Sequence, residues 1–307
     1  MNLTILAMFE FSRTPASMSG TAIVLFLIAL WAVKTDIAQA RGLDKVVVLS
    51  NLCFALPLAV FGAEHLSAAQ FIQMGVPSYV PWHLFWAYFV GFALLAASLS
   101  IATRIQVRWS GLLFGIMMFL FVAMMDIPGT LHDPKNRFSW ALTLRELAFG
   151  GGGWILAGGA MRGESREPGS GQGASALITV GRVLIGIAAI FYGVETFLHP
   201  LGMPGIPLEK LMSEWIPARP FIGYLTAAIL MVAGAAILLA QKTRTAATYL
   251  GTWIVLLVVL VYGPILIAAL MDPSTDVKVE GLNYFFDTLL FAGTVLALAR
   301  ATPHTDS

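Results

Sequence analysis

Eight ionisable residues interrupt the apolar stretches of this sequence of 307 residues. They are Glu64, His65, Asp126, Arg145, Glu146, Glu195, His199 and Asp287. An ionisable side chain inside a membrane is costly unless it is paired or hydrated, so each one is a candidate for function. Carboxylates close to arginine or histidine form ion pairs, pass protons, or bind the polar head of a small ligand.

The first grouping of these residues combines two distant parts of the chain. Glu64 and His65 lie at a similar expected depth to Arg145 and Glu146. We expect Glu64 to pair with Arg145, with Asp126 nearby. One interpretation is a charge-paired cluster that fixes helix register. A second is an outward-opening site for a small ligand, a quinone or a proton, and a third is a contact with a partner.

The second grouping contains Glu195 and Asp287, and His199 follows Glu195 by one helical turn. The residue that aligns with Arg145 is Phe286, so this grouping lacks a fixed cation. Two acids without a cation favour retention of a proton, which His199 would supply. A proton relay and an ordinary hydrogen-bonded cluster are both consistent with this pattern.

Composition indicates the elements that carry these residues. The chain is 58% hydrophobic and only 11% charged, whereas soluble domains carry about 25% charge. We therefore predict an all-α integral membrane protein whose main partner is the lipid bilayer. The net charge of +1 gives no sign of nucleic-acid binding. The single cysteine, Cys53, excludes a disulfide or a CxxC redox pair within one chain.

Segments of about 20 mainly apolar residues are long enough to cross a membrane. Eight strong ones are predicted at residues 46–66, 84–103, 109–128, 140–160, 176–198, 219–240, 246–270 and 283–300. A weaker ninth, 15–34, either spans the membrane or lies tilted against the other helices. Lys and Arg concentrate in one set of loops, which identifies the cytoplasmic side. All eight candidate residues then lie towards the extracytoplasmic ends, and we expect a multi-pass protein of the bacterial cytoplasmic membrane.

Two parts of the sequence are alike. "FGAEHL" (61–66) matches "YGVETF" (192–197), and "LHDP" (131–134) matches "LMDP" (270–273). Because each unit has an even number of spans, the two copies share one orientation and form a parallel repeat. The predicted parts are an N-terminal segment 1–45, a four-helix bundle 46–160, a cytoplasmic linker 161–175 and a second four-helix bundle 176–301.

The quoted motifs resemble DoxX-like membrane proteins. The residues that carry the resemblance are "GVETFLHP", "FGAEHL" and the proline-rich loop "VPSYVPWH". The resemblance implies one four-helix bundle per half and a protein accessory to a membrane redox or envelope process. Some members of that family belong to a thiosulfate:quinone oxidoreductase, so a quinone-interacting subunit with a redox partner is the alternative. The second copy has Thr196 where the family often has histidine, which weakens transfer of function between halves.

No catalytic motif appears, so enzyme activity rests on the resemblance alone, and catalytic residues stay unknown. No metal site is predicted, since the histidines lack ligand spacing. No cofactor is predicted either, with quinone the one that the resemblance suggests. A small-solute or proton-coupled transporter is disfavoured because polar residues are nearly absent from the inner half of the spans. The loop before the sixth span is expected to form a short interfacial helix from Leu208 to Trp215.

Overall fold

A computed structural model describes residues 3–164, 171–206 and 209–303, and these residues form helices without a β-strand. The helices are α1 (Leu3–Gln39), α2 (Asp44–Val47), α3 (Ser50–Ser67), α4 (Ala69–Ile72), α5 (His83–Thr103), α6 (Val107–Phe121), α7 (Ile127–His132), α8 (Arg137–Glu164), α9 (Gly171–Leu198), α10 (Arg219–Leu238), α11 (Thr243–Leu257), α12 (Gly263–Met271) and α13 (Thr275–Ala301). Single π-helical turns, Val122–Asp126 and Val258–Tyr262, join α6 to α7 and α11 to α12.

Eight helical segments among the described residues are long and apolar enough to cross a membrane. The chain is therefore an all-α, multi-pass membrane protein. The N-terminal segment Phe11–Gln39, the weaker prediction, is one of the eight. The predicted span 140–160 is not among them, because α8 carries Arg145, Glu146 and a run of glycines that lower its hydropathy. It is nevertheless 28 residues long and packs among the other helices.

The long helices alternate in direction, so the bundle has two chemically different ends. At one end lie the turns that follow α1, α5 and α10, with Arg104, Arg244 and Arg300; we call this the basic end. At the other lie the C-terminus of α3 and the N-termini of α8 and α13, with Glu64 and most of the other candidate residues; we call this the carboxylate end.

The packing order of the helices differs from two separate bundles. In chain order, α3, α5, α6 and α8 pack as consecutive neighbours, and so do α9, α10, α11 and α13. However, α8 packs against α9 and α13 packs against α3, while α8 and α13 meet in the centre. The expected pairing of Glu64 with Arg145 requires α3 to lie beside α8, but α3 packs against α13 instead. Helix α1 packs along α3.

Small residues explain this exchange of neighbours. At Gly181 of α9, an added Cβ would collide with the carbonyl oxygen of Gly151 of α8. At Gly293 of α13, it would lie 2.5 Å from the backbone nitrogen of Phe54 in α3. Backbones approach this closely in membranes when glycines remove the side chain between them. The "GGGG" run of α8 therefore serves helix packing.

The two series of four helices share unusual backbone features. Three pairs of non-glycine residues adopt the left-handed conformation 136 residues apart, namely Trp82 and Ala218, Arg104 and Ala240, and Gln106 and Lys242. The two π-helical turns also start 136 residues apart, and each is followed by a proline at the second position of the next helix. Positive φ is uncommon for residues other than glycine, so the coincidence is informative.

Arginines close the basic end by binding helix C-termini. Arg182 donates to the carbonyls of Ile237 and Leu238 at 2.6 and 2.8 Å. Arg244 donates to Asp44 at 2.8 Å and to two carbonyls at the end of α13. The last carbonyls of a helix have no partner within the helix and carry partial negative charge, so cations are favoured there.

Two expectations about loops are corrected. The described parts of the predicted linker 161–175 are helical, since α8 continues to Glu164 and α9 begins at Gly171. Residues 165–170 lie outside the described part. The predicted interfacial helix is absent over 209–215, where an isolated antiparallel bridge joins Gly202 to Leu211, and Leu208 also lies outside the described part. Just before this stretch, Pro204 lacks a backbone N–H and Gly205 has a φ of 104°, which a helix does not accommodate.

We expect Gly181→Ala to destabilise the fold. The added methyl group would overlap the backbone of α8, and overpacking of this kind costs about 1–3 kcal/mol. Unfolding in mixed detergent micelles, followed by circular dichroism, measures the loss. Gly20→Ala is the matched control, since a Cβ there meets no atom within 4 Å. Equal stability of the two variants would contradict the close approach of α8 and α9.

Candidate functional site

A cavity of about 480 Å³ opens at the carboxylate end, between α3, α5, α6, α8 and α13. Its mouth is lined by Phe11, Phe71, Phe138, Asp276 and Glu280. Fourteen residues along α13 separate Asp276 from the deepest lining residue on that helix, Leu290. At 1.5 Å per helical residue, the cavity extends roughly 20 Å along the bundle.

The floor of the cavity is apolar. It is formed by Leu58, Leu94, Phe114, Phe149 and Leu290, which are all buried. Between floor and mouth lies a ring of polar side chains, which we call the polar belt, consisting of Glu64, His65, Arg145, Glu146, Asn283 and Asp287. A concave apolar chamber with a few convergent polar groups is the usual form of a small-molecule site.

Arg145 is the central cation of the polar belt. Its Nη1 donates to Asp287 Oδ2 at 2.7 Å, and its Nη2 donates to Glu146 Oε1 at 2.9 Å. The three side chains are only 19%, 11% and 16% exposed. The pair therefore joins α8 of the first series to α13 of the second. The predicted pairing of Arg145 with Glu64 is wrong, because α13 packs beside α8 at the position where we expected α3.

Glu64 binds a neutral partner instead. Asn283 Nδ2 donates to Glu64 Oε1 at 3.0 Å. The adjacent His65 donates from Nδ1 to the Phe61 carbonyl at 2.8 Å, so the neutral ring keeps Nε2 as an acceptor. Two groups in this region are buried without a hydrogen-bond partner, Asn283 Oδ1 and Arg145 Nε. Buried polar atoms of this kind are few in proteins and call for a bound molecule or water.

Helical spacing positions these groups. Along α13, Asp276, Glu280, Asn283 and Asp287 follow each other at intervals of four, three and four residues, which places them on one face. Along α3, Leu58, Phe61 and Glu64 do the same at intervals of three. Because both helices run along the cavity, these side chains follow one another between its mouth and its floor.

Asp126 lies beside the polar belt without lining the cavity. It ends the π-helical turn Val122–Asp126, and its Oδ2 is buried without a hydrogen-bond partner. The Asp126 carboxylate lies close enough to Glu146 and Arg145 to interact with their charges. The expectation that Asp126 lies near Arg145 therefore agrees with the structure. The hydroxyl of Tyr79 donates to the Met124 carbonyl at 3.0 Å, which ties the loop before α5 to this turn.

Glu195 and His199 form a separate group outside the cavity. Arg137 Nη1 of α8 donates to Glu195 Oε2 at 3.0 Å, and His199 Nδ1 lies 3.5 Å from the same oxygen. Arg137 and His199 are each 46% exposed. The predicted grouping of Glu195 with Asp287 is wrong. The cation that the sequence left unidentified for Glu195 is Arg137, which the exchanged packing of α8 and α9 brings to it.

In the second series, the positions that lie 136 residues after the cavity wall are packed. Residues that match the cavity wall, Leu230, Leu250 and Ile254, are completely buried. The loop after α9 fills this region: Met203, Ile206 and Met212 are each 1% exposed, and the Tyr262 hydroxyl donates to the Pro204 carbonyl at 2.8 Å. This loop covers its half of the bundle as a closed lid.

Five of the eight candidate residues thus line one cavity: Glu64, His65, Arg145, Glu146 and Asp287. Asp126 is adjacent, and Glu195 and His199 are elsewhere. Sequence reasoning missed Asn283 and Arg137. The polar spacing along α13 would have indicated Asn283, whereas no pattern in the sequence indicates Arg137 as a partner, because its position depends on helix packing.

No family model, no curated protein and no solved structure matches this chain.

We expect Arg145→Met to destabilise the protein strongly. Glu146 and Asp287 would keep their charges in a buried site without the guanidinium, and breaking such a pair costs about 3–5 kcal/mol. Chemical unfolding in detergent measures the loss. A second change, Asp287→Asn in the Arg145→Met background, removes one uncompensated charge and should restore part of it.

The matched control is Arg137→Met, which removes the exposed pair with Glu195. An exposed ion pair contributes at most about 1 kcal/mol. If Arg145→Met were no less stable than Arg137→Met, the polar belt would contribute little to the fold.

Proposed function

We propose that this protein binds a small amphipathic molecule in the cavity at its carboxylate end. The observation that supports the proposal is an open chamber of about 480 Å³ whose charged belt lies above an apolar floor. A cluster that only fixed helix register would be packed shut. The volume is within the roughly 300–1,000 Å³ of ordinary ligand sites.

We further propose the cellular setting that the sequence suggests. The protein is a DoxX-like component of the bacterial cytoplasmic membrane, accessory to a redox or envelope process, and its carboxylate end faces outwards. The excess of lysine and arginine at the basic end supports this orientation. The left-handed residues and π-helical turns that recur 136 residues apart support descent of the two series from one four-helix unit.

A quinone-handling subunit is the second candidate. It is favoured by the aromatic wall of the cavity, which includes Phe61, Phe114, Phe121 and Phe149, because aromatic rings pack well against a flat ring. Transport remains disfavoured, since the floor of the cavity is closed by buried apolar side chains.

The proposal is tested by thiol accessibility in a Cys53→Ala background. Met118 lines the cavity, and Ile254 is its counterpart 136 residues later, completely buried in the second series. We expect the Met118→Cys variant to react with methyl methanethiosulfonate in the folded protein, whereas the Ile254→Cys variant should react only after unfolding. Mass spectrometry of the intact protein measures both rates.

A folded Met118→Cys variant that reacts no faster than Ile254→Cys would overturn the open chamber. The same assay separates the candidate ligands. Duroquinone, whose fully substituted ring has no free position for a thiol to add, would support quinone handling if it slows the reaction of Met118→Cys, and an unchanged rate would remove it.

A further inference from the structure

The cavity contains more carboxylates than cations. Five acidic side chains line it, namely Glu64, Glu146, Asp276, Glu280 and Asp287, and Arg145 is the one lysine or arginine among its lining residues. Arg145 is already shared between two of these acids. Lys210 reaches Glu280 at the mouth, at 2.6 Å. The interior of the cavity therefore keeps an excess of negative charge.

In the described part of the chain, two of the five acids, Glu64 and Asp276, have no cation of their own, and Asp276 is exposed at the mouth, so Glu64 is the unpaired carboxylate inside the cavity. Its described partner is the side-chain amide of Asn283, which is neutral. A carboxylate removed from water is stabilised mainly by an opposite charge, since hydrogen bonds to neutral groups only partly replace hydration. The position beside Glu64 is thus the place in the cavity where a positive charge gains most.

Two unused polar atoms beside Glu64 are acceptors, and the one unpartnered donor of the polar belt, Arg145 Nε, belongs to the side chain that already binds Glu146 and Asp287. The neutral ring of His65 keeps Nε2 as an acceptor, because its Nδ1 donates to Phe61. Asn283 Oδ1 is buried and accepts no hydrogen bond. His65 Nε2, which is not among these buried atoms, suits a ligand that donates a hydrogen bond, whereas the carbonyls of a quinone need donors. This pattern favours a protonated amine.

The aromatic side chains of the cavity wall also suit an organic cation. Phe61 lies one turn from Glu64 on α3, and Phe138 and Tyr284 line the same cavity. Faces of aromatic rings attract organic cations and pack against their apolar parts. A metal ion fits less well, since no three His, Cys, Asp or Glu side chains in the described ranges come together as a metal site.

We propose that the ligand of this cavity is an organic cation, a protonated amine on an apolar body, whose ammonium group pairs with Glu64. The body lies against the phenylalanines and the apolar floor, and the volume of about 480 Å³ limits it to a small molecule. This inference rests on the proposed function, that is, on the cavity being an open binding site.

The test compares two probes of nearly equal shape that differ in charge, 2-phenylethylammonium and 2-phenylethanol. Each is titrated against the full-length Cys53→Ala, Met118→Cys protein, and slowing of the thiol reaction gives its apparent Kd. We expect the ammonium probe to bind at least about tenfold more tightly than the alcohol, because an acidic cleft concentrates cations.

Glu64→Gln should abolish this difference. Glutamine keeps an acceptor for the amide of Asn283 and removes only the charge, so the variant is expected to fold. Glu195→Gln is the matched control, because Glu195 occupies the equivalent sequence position outside the cavity and should leave the preference unchanged.

Equal protection by the two probes, or an ammonium preference that survives Glu64→Gln, would overturn the inference. Stronger protection by hydroquinone than by the ammonium probe would also overturn it and favour a neutral donor. These outcomes all require a reactive Met118→Cys thiol. A thiol that never reacts in the folded protein contradicts the proposed function itself, so the two failures are distinguishable.

Discussion

The contact on which the rest of the structure depends is the ion pair between Arg145 of α8 and Asp287 of α13. It lies where α8 and α13 meet in the centre of the bundle, with Glu146 as the second acceptor. Ionic groups in a poorly hydrated interior are stable only when matched. The pair therefore fixes the relative depth and rotation of the two helices, and with them the positions of Glu64 and Asn283.

The cavity follows from that arrangement. Because α13 crosses to the first series of helices, its polar face closes a chamber whose other walls come from α3, α5, α6 and α8. The matching region of the second series is filled by Met203, Ile206 and Met212. The two series have the same helix order but differ at the carboxylate end. Helices of the first series form walls of the cavity, whereas the loop after α9 packs into the second series.

Much of this was predictable from the sequence. Hydropathy gave the helices, and the scarcity of charge identified the ionisable residues, five of which line the cavity. The partners were not predictable. Sequence position gives the depth of a residue along its helix, whereas the neighbour of that helix depends on packing at positions such as Gly181 and Gly293. Glu64 was therefore assigned to Arg145, and Glu195 was left without Arg137.

The exchanged packing of the helices also bears on assembly during synthesis. Helix α3 (Ser50–Ser67) is made well before its main partner on one side, α13 (Thr275–Ala301). Until α13 arrives, the polar face of α3 with Glu64 and the guanidinium of Arg145 have no partner from the same chain on that side. The nascent protein must hold these groups at the hydrated interface, or shielded by other membrane components, until α13 supplies Asn283 and Asp287.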